Sequence, residues 1–294
     1  MGLLAKFVQA REQWRNMVLP RLTGSAIAIL FGVTGAPVFA NDTAINAGAH
    51  GPAPVGEFSG EESVIRMVAE TIDIQFGKTQ SVVTCRFTFR SSKTSGDARQ
   101  TVGFPDLLTG EDANTGSIRS LETFVDGRKV EAKKTAGWFE IAEYGVPRSG
   151  LGEPRADAPP EIIQRADFYT VDVVFPAGKD VVIERRYVAD NGADVVGTQT
   201  LSYTTHTGAI WKDTIGRADF HVTLDGWTID DLAFEDGPQR LSPRQQSMWT
   251  SPNLKEWTVV SPTELKMTWE NFEPAAHKTR RRIFLATWSV RKPD

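Results

Sequence analysis

From Arg217 to Leu224 the chain alternates without a fault. Ala218, Phe220, Val222 and Leu224 fall on one face, and Arg217, Asp219, His221 and Thr223 on the other. A period of two over eight residues predicts a half-buried strand. The same alternation runs through Ile72, Ile74 and Phe76, then through Val83, Cys85, Phe87 and Phe89. The turn residues at 77–80 between them predict a hairpin. A second hairpin is expected at 124–130, because Asp126-Gly127 supplies the positive φ angles of a tight two-residue turn. Further strands are predicted around Trp138, Phe139 and Ile141, and over 168–175 and 180–188, the last two joined by the turn at 176–179. Later strands are predicted over 227–229, 245–250, 256–260, 265–269 and 281–290. Leu265, Met267 and Trp269 form one inward-facing set. A short helix is expected over 159–166, where Pro suits a first turn.

No amphipathic helix longer than about two turns is visible, so the fold class is mainly β, with short helical pieces only. The pattern predicts two β-sandwich-like units, 41–195 and 196–294, dividing near 190–197, with the linker at 190–194 (DNGAD). Residues 143–160, rich in Pro and Gly, read as a surface excursion, and 41–60 as an extended arm.

Residues 1–40 look like an export signal rather than fold. The apolar run at 24–36 (GSAIAILFGVTGA) follows Arg21 and ends in Val38-Phe39-Ala40. It falls short of the ~20 residues a spanning helix needs, and the flanks suit cleavage after Ala40. Met17 gives a signal of more usual length than Met1. An uncleaved anchor is the alternative. The expected protein is periplasmic or secreted, and not integral to the membrane once cleaved.

Charge narrows the partners. The 294-residue chain has a formal charge of −4. Loss of Lys6, Arg11, Arg15, Arg21 and Glu12 with the signal takes this to −7. An acidic exported protein is a poor fit to nucleic acid, whose phosphates demand a basic face. Cys85 is the lone cysteine, so no intramolecular disulfide forms. It shares a face with Val83, Phe87 and Phe89, as a buried small hydrophobe does.

The chemistry of a known catalytic motif is missing. There is no G-x-S-x-G elbow, H-E-x-x-H pair, P-loop or paired-Cys metal site. No catalytic residue, metal or cofactor is expected. His50, His206, His221 and His277 lie far apart, and His221 reads as solvated. Asp190, Asn191 and Asp194, or Asp230, Asp231, Glu235 and Asp236, would suit calcium by their oxygen ligands, but acidic loops are ordinary on an acidic surface. Arg280, Arg281 and Arg282 read as a solvated face. Six tryptophans after residue 200 would serve either as core or as platforms for a glycan.

The richest stretch is 201–224. Tyr203, His206, Trp211 and Lys212 are the candidate binding residues, set in a turn bracketed by Gly208 and Gly216. Trp211 is expected as a buried anchor, and the Lys212 stem can cover its ring. Here the chain resembles a family of exported bacterial proteins of unknown function, with the pattern Y-x-x-x-T-G-x-x-W-K-x-x-I-G at Tyr203, Thr207-Gly208, Trp211-Lys212 and Ile215-Gly216. Asn41-Asp42-Thr43, the run from Phe175 through Lys179 to Tyr187, and Trp269-Glu270-Asn271-Phe272-Glu273-Pro274 fit it too. Asp213 stands where the family often has Gly. The resemblance implies an extracytoplasmic β-sandwich protein and assigns no catalytic residue. The expected role is binding or structural, with an envelope protein or glycan as partner. A hydrolase or carbohydrate-active, glycan-binding protein is the alternative.

Overall fold

The structure is a computed structural model that describes residues 48–50, 53–54, 64–108, 117–140, 149–153, 163–193, 197–234, 254–274 and 282–287. The signal at 1–40, the strand expected at 245–250, and His277, Arg280, Arg281, Trp249 and Trp288 lie outside the described residues. The described residues belong to one compact unit, Asp42–Asp294.

The strands of the described residues form two sheets and are numbered in chain order. The first runs β15 (Thr258–Ser261), β16 (Glu264–Phe272), β14 (Ile215–Leu224), β3 (Ile65–Phe76), β4 (Gln80–Ser91), β11 (Asp180–Asp190), β6 (Ile118–Val125), β7 (Arg128–Val130). The second runs β12 (Gly192–Ala193), β13 (Gln199–Thr204), β1 (Gly48–His50), β5 (Asp97–Leu107), β10 (Ile163–Pro176), β8 (Lys133–Glu140), β9 (Ser149–Leu151). There, β17 (Arg282–Ala286) also pairs with β13, and β2 (Ala53–Pro54) with β5. Pairing is antiparallel except at β1–β13 and β3–β14.

The fold is mainly β, and its described helical pieces are single 3-10 turns. Each sheet draws strands from both sides of 190–197, so the two sandwich-like units expected there share their sheets. β14 and β16 lie beside β3, and β13 and β17 stand with β5 and β10. The turn at 176–179 carries the chain from β10 in one sheet to β11 in the other, with Gly178 at φ 70°.

Alternation explains the core. Phe76, Cys85, Phe87, Phe89, Ile183, Phe220 and Leu265 of the first sheet share one cluster with Val102, Phe104, Phe175, Tyr203 and Ile283 of the second. Rings meet across the gap: Phe89 on Phe175 at 5.9 Å, Phe104 on Tyr187 at 5.4 Å, Tyr203 on Phe220 at 6.5 Å. Each such buried side chain contributes about 1.5–3 kcal/mol of transfer free energy.

The hairpins form as their turns dictate. Asp126 and Gly127 take φ of 49° and 76°, closing β6 on β7. Two local expectations are corrected. Residues 227–229 make no strand, because the Asp231 carboxylate accepts from the Thr228 N–H and hydroxyl at 2.8 and 2.9 Å and starts a 3-10 turn at Ile229. The helix expected at 159–166 is strand from Ile163 onward, because cross-strand pairing with β8 overrides a weak helical signal.

Candidate functional site

The β3–β4 register skips Val68: Met67 pairs with Phe89 and Ala69 with Thr88. That extra residue is a β-bulge, which reverses which side chains face the core. Met67 faces inward before it, and Glu70, Ile72, Ile74 and Phe76 after it. Gly216 of β14 lies against the bulge, where an added β-carbon would come within 2.5 Å of the Val68 carbonyl oxygen. The bulge thus puts a carboxyl among rings. Glu70 is buried, and its Oε1 has no hydrogen-bond partner among the described residues. Burial pushes its carboxyl up to about 8, so it is protonated at neutral pH.

A second buried ionisable group lies two strands away. On β11, Val181, Ile183, Arg185, Tyr187 and Ala189 face inward. Registers place Arg185 between Cys85 of β4 and Thr123 of β6. The row continues from Cys85 to Ile72, Phe220 and Met267. Arg185 is fully buried. Its Nη1 donates to Thr123 Oγ1, and its Nη2 to the Tyr169 carbonyl at 3.2 Å across the sandwich. The guanidinium stands 5.8 Å from the Phe104 ring, and Nε has no partner. Among the described residues, therefore, only neutral groups meet this cation. Burial pulls it down to about 9. Glu184, next in sequence, points outward and takes Arg86 and Arg186 at 2.8 and 2.6 Å.

Cys85 lies between these groups. Its thiol touches the Tyr187 and Tyr203 hydroxyls, neither of which has a hydrogen bond of ordinary geometry. A thiol is a weak, soft partner, so it fills the space without satisfying either hydroxyl. Burial, then the Glu70 charge, pushes the thiol up, and burial does the same to both phenols. A thiol held protonated in this way is a poor nucleophile.

The polar end of the row reaches the surface. Leu121, Thr123, Val130, Ala132 and Tyr169, with Glu122, Lys129 and Glu131, line a depression of about 390 Å³. Thr123 is buried at its floor and is also the acceptor of Arg185. Lys129 pairs with Glu122 at the wall, and Lys134 pairs with Asp167 at 2.8 Å while standing 5.7 Å from the Tyr169 ring.

No family model matches the sequence, and no curated protein matches it in sequence. One solved structure, a candidate nutrient-binding protein from Legionella pneumophila, aligns at TM-score 0.57 and 18% identity, over 84% of this chain and 72% of that one. The likeness is one of fold. An M1 zinc metallopeptidase from Deinococcus radiodurans aligns at TM-score 0.32 and 9% identity, over 74% of this chain and 41% of that one, a level that carries no argument.

None of the residues expected to bind is among the described residues that line the depression. Tyr203 is buried in the core on Phe220. Trp211 is buried with its ring 4.6 Å from Phe89. Lys212 donates its N–H to the Ile65 carbonyl at 2.9 Å and its Nζ to Ser92 Oγ at 3.3 Å. His206 opens the 3-10 turn, and its side chain lies outside the described residues. Asp213 adopts φ 57°, the left-handed turn for which a Gly would be the usual choice. Of the residues suggested for calcium, Asp190 is engaged with Arg119 and Gln80, Asn191 with Ser81 and Gly77, and Asp231 with Thr228, while Asp194, Glu235 and Asp236 lie outside the described residues. His221 bridges Asp73 and Glu264 at 3.2 and 2.9 Å.

Sequence reasoning missed Glu70, Thr123, Tyr169 and Arg185. Two of them carried a signal. Glu70 stands two before Ile72, and Arg185 falls midway between Ile183 and Tyr187, both on the inward phase of an alternating strand. Thr123 and Tyr169 carried none, because their roles depend on which strands meet.

Proposed function

We propose that this chain is an exported binding protein of the cell envelope, periplasmic or secreted, that holds a small ligand in the depression beside Thr123. The observation that carries the reading is Arg185, a fully buried cation with only neutral partners, one hydroxyl behind the depression's floor. Packing alone favours an apolar side chain of similar volume at such a position. A concave site with apolar walls and a few convergent polar groups is the usual form of a small-molecule site. The fold likeness to a candidate nutrient-binding protein is consistent with this role. Export is supported by the apolar run and the Val38-Phe39-Ala40 ending.

Glycan stacking has less support. Trp138, Trp211, Trp257 and Trp269 are buried, and the half-buried Trp227 is covered by the Lys78 ammonium, 3.5 Å from its ring.

A thermal-shift screen of the mature protein against small metabolites and cell-wall sugars tests the reading. A ligand that binds the folded state raises the melting temperature by mass action. At least one small metabolite is expected to do so and to shift resonances of Thr123, Val130 and Ala132. A screen in which nothing moves them overturns the reading. Cell fractionation tests export: protein beginning at Asn41 outside the cytoplasm is expected, and residues 1–40 intact in the cytoplasm contradict it.

A further inference from the structure

We infer that the depression recognises the carboxylate of a small organic monoacid through the Thr123 hydroxyl, with Arg185 behind it as the buried counter-charge. The inference rests on the depression being the ligand site, as proposed above.

The hydrogen-bond inventory at Thr123 sets the direction. A hydroxyl has one proton to donate and two lone pairs to accept with. The Thr123 oxygen accepts from Arg185 Nη1, a donor with no lone pair of its own. The Thr123 proton must therefore point elsewhere, and the described structure gives it no protein acceptor. Thr123 also lines the depression. An acceptor placed there completes a chain from guanidinium through hydroxyl to ligand. Such chains polarise each link, so a hydroxyl that accepts from a cation is a stronger donor.

Charge selects an anion as that acceptor. Arg185 meets the Thr123 hydroxyl, the Tyr169 carbonyl and the face of Phe104, and none of these neutralises it. In a low-dielectric interior its field reaches a ligand one hydroxyl away with little screening. The rim then limits the anion. Of the charged residues that line the depression, Lys129 answers Glu122, which leaves Glu131 without an ion pair among the described residues. One surplus negative charge disfavours a dianion such as phosphate and tolerates a single carboxylate. Leu121, Val130, Ala132 and the Tyr169 ring offer the rest of the ligand an apolar wall.

Isothermal titration calorimetry and amide-resonance shifts on the mature protein test this with three probes: sodium butyrate, its neutral analogue butyramide, and inorganic phosphate. Butyrate is expected to bind and to shift Thr123, Val130 and Ala132. Butyramide and phosphate should each bind at least about tenfold more weakly, as losing a hydrogen bond to a charged group predicts. Thr123→Val keeps the shape and removes the proton, and should weaken butyrate about tenfold or more, while Thr123→Ser should retain binding. Equal binding of butyrate and butyramide overturns the inference, as does phosphate binding as well as butyrate, or Thr123→Val binding like the wild type. If butyrate fails while a neutral compound from the screen shifts the same resonances, the anion assignment falls and the ligand site stands. If no compound shifts them, both fall.

Discussion

One row of paired residues crosses the inner face of the first sheet, and its two ends differ in kind. At one end Met267 and Phe220 stand beside Ile72, and Phe220 stacks on Trp269 at 4.8 Å, with Trp269 on Phe272 at 4.8 Å. At the other end the equivalent inward positions hold Arg185 and Thr123, with Cys85 between the two halves. The aromatic end needs no explanation beyond packing, since ring pairs add about 0.5–1.5 kcal/mol to their burial. The polar end works against packing, because a buried cation without a counter-charge is costly. A strand set selected for stability alone would continue the apolar row to the edge. The departure falls where the row meets a depression open to solvent, as the proposed ligand site requires.

The comparison breaks first at its apolar side. Trp211, packed on Phe89 within the same core, should lose about 3–5 kcal/mol on change to Ala, seen as a lower urea midpoint. A loss under about 1 kcal/mol would mean that the Trp211 ring is not part of the packed core.

Glu70 sharpens the comparison through pH. In the folded chain its carboxyl keeps its proton to about 8, against an ordinary value of 4.5. Between these values the folded state binds the proton and the unfolded state does not, so unfolding releases a proton and stability falls as pH rises. The contribution is fully present below pH 4.5 and lost by about pH 8, amounting to a few kcal/mol. Urea melts across pH 4.5–8 should show this slope in the wild type, and Glu70→Gln should flatten it. An equal slope in both would place the Glu70 carboxyl in contact with water.

The smallest effect is expected at the tip of the β6–β7 turn. Gly127 has φ 76° and open space around its missing β-carbon, so Gly127→Ala should lose only the backbone preference, about 1 kcal/mol. It should leave the pH slope set by Glu70, on β3, unchanged, which urea melts across pH 4.5–8 check.

How much of this the sequence carried follows from the range of each interaction. The mainly β class, the β6–β7 turn at Asp126-Gly127 and the inward set Ala218, Phe220, Val222 and Leu224 all follow from local alternation and turn chemistry. Trp211 is buried, as the spacing of its turn suggested. The bulge at Val68 was not legible, because it is defined by a register with β4 and by the approach of Gly216 from β14, over 140 residues later in the chain. Thr123 and Arg185 come together only because β6 pairs with β11, and Tyr169 joins them only through the second sheet. Tyr203, His206, Trp211 and Lys212 instead stand out in the sequence because they carry polar atoms close together. Two of these are core side chains, and Lys212 is engaged with the end of β3.

On the proposed reading, Arg185 is kept for a ligand and not for the fold. Arg185→Met tests both halves at once, because Met fills similar space without charge. The variant should be at least as stable as the wild type in urea, in line with the neutral to favourable effect of replacing buried charge by apolar volume. Butyrate should no longer shift its Thr123 amide. A variant that loses several kcal/mol of stability, yet responds to butyrate as the wild type does, would contradict that reading.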